Sequence, residues 1–164
     1  RILPRKGPDI AIQVAKMANE KLVIVGDPKR GEFWKKRIKP FLDAKITFQN
    51  WVASDQTYKY YRDAKAILVP IQWEEPFGLV MIEAMACGTP VIAFRRGSVP
   101  EVVIDGKTGF IVDTVEEMVA VIKKIEKIDR KECRKLVEEK FSVKRMVDDY
   151  EKTYYKLISE NKNA

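Results

Sequence analysis

Two carboxylates, Glu75 and Glu83, stand with seven residues between them in the stretch Glu74-Glu75-Pro-Phe-Gly-Leu-Val-Met-Ile-Glu83-Ala-Met-Ala-Cys-Gly88-Thr-Pro90. Gly78, between them, permits close approach of backbone to a ligand. The free N–H groups of Phe77, Gly78 and Leu79 at a helix start would face an anion such as a phosphate. Glu83 follows about one and a half turns into a helix otherwise made of Leu79, Val80, Met81, Ile82, Ala84, Met85 and Ala86. A carboxylate buried unsatisfied in such company costs on the order of several kcal/mol, so it needs donors. A ribose diol offers two hydroxyls; backbone amides or a basic side chain of the protein itself would serve equally, and composition alone leaves both open.

Two further loops carry charge. Arg1-Ile-Leu-Pro-Arg-Lys6-Gly7 puts two cations and a glycine between a strand and a helix start, which suits a diphosphate clamp or, equally, a solvated basic turn. Arg95-Arg-Gly-Ser-Val-Pro-Glu101 has Gly97 for a tight turn; it could bring positive charge to the same edge, but such turns are more often plain connections. Cys87 and Cys133 make no disulfide framework, and with no histidine to activate either thiol both read as inert, Cys87 as a small buried side chain.

The elements that must position these loops repeat a rhythm: a short apolar run, a turn, then a helix-period segment. That rhythm indicates βα units around a parallel sheet. Strands are expected at Arg1 to Leu3, Lys21 to Val25, Lys45 to Phe48, Ala66 to Pro70, Pro90 to Phe94 and Gly109 to Val112, each buried on both faces. Helices are expected at Asp9 to Ala18, roughly Glu32 to Leu42, Ser54 to Arg62 and Gly78 to Cys87, with Pro8 in a first turn and Ser54 and Asp55 as N-caps. Beyond Val112 only amphipathic helices follow, one through Val115, Met118, Val119, Ile122 and Ile125 and one through Met146, Val147, Tyr150, Tyr154 and Leu157. The whole of 1–164 reads as one doubly wound, Rossmann-like α/β domain. Its first strand looks truncated, which makes Arg1 a fragment boundary with a partner domain beyond it. Ligands of such a sheet bind past the carboxyl ends of its strands, where all three loops fall.

Composition narrows the function classes. A chain of 164 residues, 46% of them hydrophobic, can bury one compact core, and no apolar run approaches the ~20 residues of a membrane span. With no signal sequence in Arg1 to Gly7, a reducing, cytosolic setting is expected. The net charge of +7 invites a nucleic-acid reading, but lysines and glutamates alternate along Lys123 to Lys140 as on solvated helix faces, which argues against it.

At these residues the chain resembles the retaining nucleotide-sugar glycosyltransferases of the GT-B fold, family 4 in particular, and its C-terminal, donor-binding half. Glu75 and Glu83 are similar to that family's E-x7-E signature. Its flanks match too: Glu-x-Phe-Gly-Leu before the helix, Glu-Ala-Met-Ala-Cys-Gly-Thr-Pro-Val after it, Gly-Ser-Val-Pro-Glu-Val-Val from Gly97, and Asp105-Gly-Lys-Thr-Gly-Phe110. Arg1 and Lys6 fall where the family places its diphosphate-binding Arg and Lys.

The resemblance implies that Glu83 accepts from the ribose hydroxyls and that Glu75, the catalytic-site carboxylate, holds hydroxyls of the transferred sugar. Phe77, Gly78 and Leu79 would meet the sugar or its phosphate through backbone amides. Arg1 and Lys6 would neutralise the diphosphate leaving group in place of a metal, so no cofactor or metal is expected, in keeping with the lack of any Asp-x-Asp. The base is expected near Val52, where Asn50 and Trp51 depart from the family's usual glycine and variable residue; Ser98 likewise replaces a common second glycine.

The implied enzyme moves a hexose from a nucleoside-diphosphate (NDP) sugar to a glycan or lipid acceptor. It would act in the cytoplasm or at the inner face of the cell membrane, in polysaccharide biosynthesis, with no nucleic-acid partner. The acceptor-binding N-terminal domain, which supplies a histidine, is absent from this chain, and the helix Ser142 to Ser159 resembles the one that crosses back onto that domain. The alternatives are a non-transferring nucleotide-sugar enzyme such as a hydrolysing 2-epimerase, which generally lacks this E-x7-E wording, a pyridoxal-dependent sugar phosphorylase, and a nucleotide-binding module.

Overall fold

A computed structural model describes residues 2–28 and 31–161, and every strand pair in it is parallel. β1 (Leu22–Val25) pairs with β2 (Ile46–Gln49), Leu22 opposite Ile46. β3 (Ile67–Val69), β4 (Val91–Phe94) and β5 (Gly109–Val112) form a second sheet in that order, with Ile67 opposite Val91 and Val91 opposite Gly109. These are the short β-branched runs the sequence marks out, and parallel pairing follows because each consecutive pair is separated by helical or turn structure rather than a tight hairpin.

The expected strand at Arg1 to Leu3 is not seen: Ile2 and Leu3 join no ladder. Instead the Ile2 N–H donates to the Asp27 carbonyl just past β1 (2.9 Å), while the Arg5 carbonyl accepts from the Gln72 N–H just past β3 (2.8 Å). The segment 2–5 thus bridges the carboxyl ends of the two sheets.

α1 (Pro8–Ala18) carries Pro8 in its first turn as expected. The helix expected at Glu32 to Leu42 is present over 32–41, but it passes through a π-helix, Trp34–Ile38, into a 3₁₀ turn, Lys39–Phe41, where Pro40 has no N–H to continue an α-helical ladder. The expected helix from Ser54 likewise breaks into a 3₁₀ turn, Ser54–Gln56, and α2 (Tyr58–Arg62); neither Ser54 nor Asp55 caps it. α3 (Leu79–Ala86) and α4 (Val99–Val102) follow the two charged loops. α5 (Val115–Ile122) opens on a capping box in which Thr114 accepts from the Glu117 N–H at 3.1 Å, and α6 (Arg130–Lys140) and α7 (Val143–Asn161) end the described residues.

Burial on both faces holds fully only for β4, whose four residues are all buried. The main core gathers β4 with Met81 and Met85 of α3, Val14 of α1 and Met118 of α5. A smaller cluster of Ile12, Ala15, Ile24, Ile38 and Ile46 lies under one face of β1 and β2, and Val23 on the other face is 53% exposed. Strand alternation explains this half-exposure: Val23 points away from Ile24 and from the α1 side that covers it. Among the described residues no helix is long and apolar enough to cross a membrane.

Candidate functional site

Lys6, Trp73, Glu75, Phe77, Gly78 and Leu79 line one open cavity of about 420 Å³ at the carboxyl end of β3. The loop after β3 delivers Trp73 to Gly78, and the turn before α1 delivers Lys6, so a residue early in the chain reaches a carboxylate far along it. The Lys6 ammonium pairs with Glu75 Oε2, and the Trp73 indole N–H donates to the same oxygen at 3.1 Å. Glu75's side chain is only 12% exposed, while Oε1 has no protein donor among the described residues. Arg5 and Lys6 both lie 5.1 Å from the Trp73 ring centroid, a cation–π arrangement that concentrates positive charge on this wall.

The opposite wall is the start of α3. Among the described residues, the backbone amides of Phe77, Gly78 and Leu79 have no protein acceptor, and Gly78 adopts φ 76°. A Cβ at Gly78 would meet Met81 Cε at 2.5 Å, so glycine is needed for both conformation and space. The cavity therefore offers an ammonium and free amides to an anion, and a carboxylate oxygen to hydroxyl donors.

Glu83 requires a correction. The expectation of a buried carboxylate short of donors does not hold: Glu83 is exposed, and its Oε2 accepts from the Tyr61 hydroxyl at 2.8 Å. Helix geometry supplies the reason. Met81, Ala84 and Met85 turn into the core, whereas Leu79, Val80 and Glu83, spaced i, i+1, i+4, share the outer face. Glu83 thus stands one turn along α3 from the cavity wall, outside its lining. Burial first, then the hydrogen bond and charge of Glu83, push the Tyr61 phenol well above its ordinary value, so it remains a donor throughout the physiological range.

Val52 is half-buried in the turn between β2 and α2, beside Trp51, which is 70% exposed; it does not line the cavity. Arg1 lies outside the described residues. Cys87 is half-buried rather than buried and Cys133 fully buried, and both are free thiols.

The third loop does more than connect. The Ser98 N–H donates to the Glu75 carbonyl at 2.8 Å, the Ser98 hydroxyl to the Phe77 carbonyl at 2.8 Å, and the Gly97 N–H to Glu74 Oε2 at 2.5 Å. The serine in place of a second glycine therefore makes a bond that glycine could not. The loop's own charges face a neighbouring cavity of about 390 Å³, where Arg95 pairs with Asp113 at 3.4 Å; Arg96 stands 3.7 Å from Glu74. Trp73, Tyr61 and Ser98 were not singled out from the sequence as site residues. Trp73 had a signal, since it stands two residues before Glu75 in the same loop; Tyr61 reaches Glu83 from α2 and Ser98 reaches Phe77 from the turn before α4, both distant in sequence.

Comparison with known proteins places this geometry in a family. The model of the family Glycosyl transferases group 1 matches residues 1–142. A lipopolysaccharide 1,2-N-acetylglucosaminetransferase of Salmonella typhimurium is 35% identical over 123 residues, covering 67% of this chain and 32% of that protein. Sucrose-phosphate synthase (tll1590) from Thermosynechococcus elongatus superposes with TM-score 0.81 at 28% identity, over 96% of this chain and 44% of that one. The C-terminal domain of a glycosyl transferase group 1 family protein (LpcC) from Francisella tularensis gives TM-score 0.72 at 26% identity, over 87% of this chain and 83% of that one. The chain thus spans about a third of the length of its curated relative and most of a solved C-terminal domain. The fold is that of the C-terminal half of a GT-B glycosyltransferase, and the chain belongs to the group 1 glycosyl transferases.

Proposed function

We propose that this chain holds the nucleoside-diphosphate sugar donor of a retaining, metal-independent glycosyltransferase, and that the complete enzyme passes a hexose to a glycan or lipid acceptor. The observation that carries this reading is the convergence of Lys6, Glu75 and the unpartnered amides of Phe77, Gly78 and Leu79 on one cavity. A diphosphate takes the ammonium and the amides; sugar hydroxyls take Glu75. Glu83, on the same face of α3 as Leu79, takes the ribose diol, and the turn at Val52 takes the base. As the sugar departs, charge grows on the diphosphate, and Lys6 with Arg1 stabilises it, the part a divalent metal plays elsewhere. No resident cofactor enters this scheme.

The acceptor-binding domain lies N-terminal to this chain, and α7 crosses back onto it. In support, α7 leaves Met146, Tyr150, Tyr154 and Leu157 more than half exposed. An enzyme of this kind works in the cytoplasm or peripherally at the inner face of the cell membrane, in polysaccharide biosynthesis, and has no nucleic-acid partner.

The test is calorimetry of this chain with UDP-, GDP- and ADP-sugars, with and without EDTA, beside a single-stranded oligonucleotide at rising salt. Saturable binding of one nucleotide sugar, unaffected by EDTA, is expected, with no sugar transfer by this chain alone. Binding of the oligonucleotide with a steep loss in salt, and no nucleotide preference, would replace the reading with a nucleic-acid module.

A further inference from the structure

Glu83 projects from the outer face of α3 on a flexible side chain, and a lone exposed carboxylate of that kind samples many rotamers. Here one oxygen is pinned: Tyr61 donates to Oε2 at 2.8 Å, and no protein donor faces Oε1 among the described residues. Tyr61 is itself fixed. Its carbonyl accepts from the Thr89 hydroxyl at 2.6 Å, and Thr89 is fully buried. Arg130, at the start of α6, donates to the Thr89 hydroxyl at 2.8 Å and to the carbonyls of Arg62 and Ala64 at 2.9 and 2.8 Å. α2 has five residues, too few to hold its own conformation, so these contacts from the Gly88–Pro90 turn and from α6 decide where the Tyr61 ring stands.

We infer that Tyr61 is a positioning residue: through its hydroxyl, and held in turn by Thr89 and Arg130, it fixes the Glu83 carboxylate so that Oε1 stays free and aimed to accept from the two hydroxyls of a ribose. This rests on the assignment of Glu83 to the donor's ribose. The hydroxyl does not lose its proton in competition with the ligand, because burial and the adjoining carboxylate keep the phenol protonated. The consequence is a preference for nucleotides with an intact 2′,3′-diol that depends on a residue the ligand does not touch.

The experiment compares binding of UDP, GDP and ADP with their 2′,3′-dideoxy counterparts, by calorimetry, for this chain and for its Tyr61→Phe and Glu83→Gln variants. For the base that binds, the unmodified chain should favour the ribonucleotide by roughly tenfold or more, the worth of one or two hydrogen bonds to a charged acceptor. Tyr61→Phe keeps the ring and removes only the hydroxyl; it should cut that preference about threefold or more while leaving the dideoxy affinity unchanged. Glu83→Gln should abolish most of the preference. If Glu83→Gln abolishes it and Tyr61→Phe leaves it intact, or lowers both affinities alike, Tyr61 is structural only and the inference falls while the ribose assignment stands. If the unmodified chain shows no preference, or Glu83→Gln leaves the preference whole, the ribose assignment falls and the inference with it.

Discussion

Lys6 and Glu75, 69 residues apart in the chain, form an ion pair on the wall of the candidate cavity. The two residues assigned to adjoining parts of the proposed donor, its diphosphate and its sugar, thus satisfy each other. Lys6 and Trp73 share Oε2, so Oε1 can accept a hydroxyl without displacing either. The Lys6 ammonium has three N–H donors and gives one to Glu75, so a diphosphate can bind it while drawing its charge away from Glu75.

Replacing Lys6 with alanine should therefore act on the diphosphate alone. Nucleoside diphosphate binding should weaken about tenfold, the usual loss for one charge-assisted hydrogen bond, whereas the nucleoside without phosphates should bind unchanged. Calorimetry with the two ligands measures both. In a background where Trp34 and Trp51 are phenylalanine, Trp73 emission should shift on diphosphate binding, because the ammonium over its ring moves; an unaltered diphosphate affinity in Lys6→Ala would remove Lys6 from the site.

Gly97 should not tolerate alanine. It sits at φ 53°, and an added Cβ would come within 2.3 Å of the Glu75 carbonyl oxygen and 2.4 Å of its amide nitrogen. Backbone cannot yield as a side-chain tip does, so Gly97→Ala should cost about 2 kcal/mol or more and move Glu75. Urea denaturation reads the first effect and loss of nucleotide-sugar binding the second.

Arg130, at the start of α6, donates three bonds, to the carbonyls of Arg62 at the end of α2 and of Ala64 just past it and to the Thr89 hydroxyl. Arg130→Ala leaves the carbonyls of Arg62 and Ala64 short of their donors and should lower stability by about 2–4 kcal/mol, as hydrogen bonds from charged groups commonly do. A loss under about 0.5 kcal/mol in equilibrium unfolding, the scale of an indifferent surface change, would mean that water replaces it freely.

Cys133 supplies the pH dependence. Burial pushes its thiol up from 9.0 to about 11, with its Sγ 3.6 Å from the Thr108 carbonyl. Its contribution is complete below pH 9, where both folded and unfolded chains are protonated. As pH rises from 9 to 11 only the unfolded chain releases the proton, so stability falls across that window. The drop in urea midpoint between pH 8.5 and 10.5 should be smaller in Cys133→Ala than in the unmodified chain, and at pH 8 a thiol reagent should label Cys87 well ahead of Cys133.

The strands and the charged loops were legible in the sequence because each is local: a run of β-branched residues, a glycine beside a carboxylate, a proline in a first turn. Glu83 shows where local signals stop. Its neighbours are nearly all apolar, which suggests burial, but composition does not say which sector of α3 meets the core, and Glu83 falls in the sector with Leu79 and Val80 that does not. Tyr61, Thr89 and Arg130 come together from three elements, and Ser98 reaches Phe77 across a loop; no periodicity within a window of sequence encodes those meetings. The pair β1 and β2 departs from burial on both faces for a related reason, since short apolar runs look alike whether one face is covered or two.

The segment 2–5, hydrogen-bonded to the end of β1 on one side and to the end of β3 on the other, makes the spacing of the two sheets a matter of a few backbone bonds. The turn at Val52 belongs to the first sheet, and Glu75 and Glu83 follow from the second. A nucleotide sugar held as proposed would therefore be gauged along its length, as between the jaws of a caliper, with Lys6 at the end of the bar that joins them.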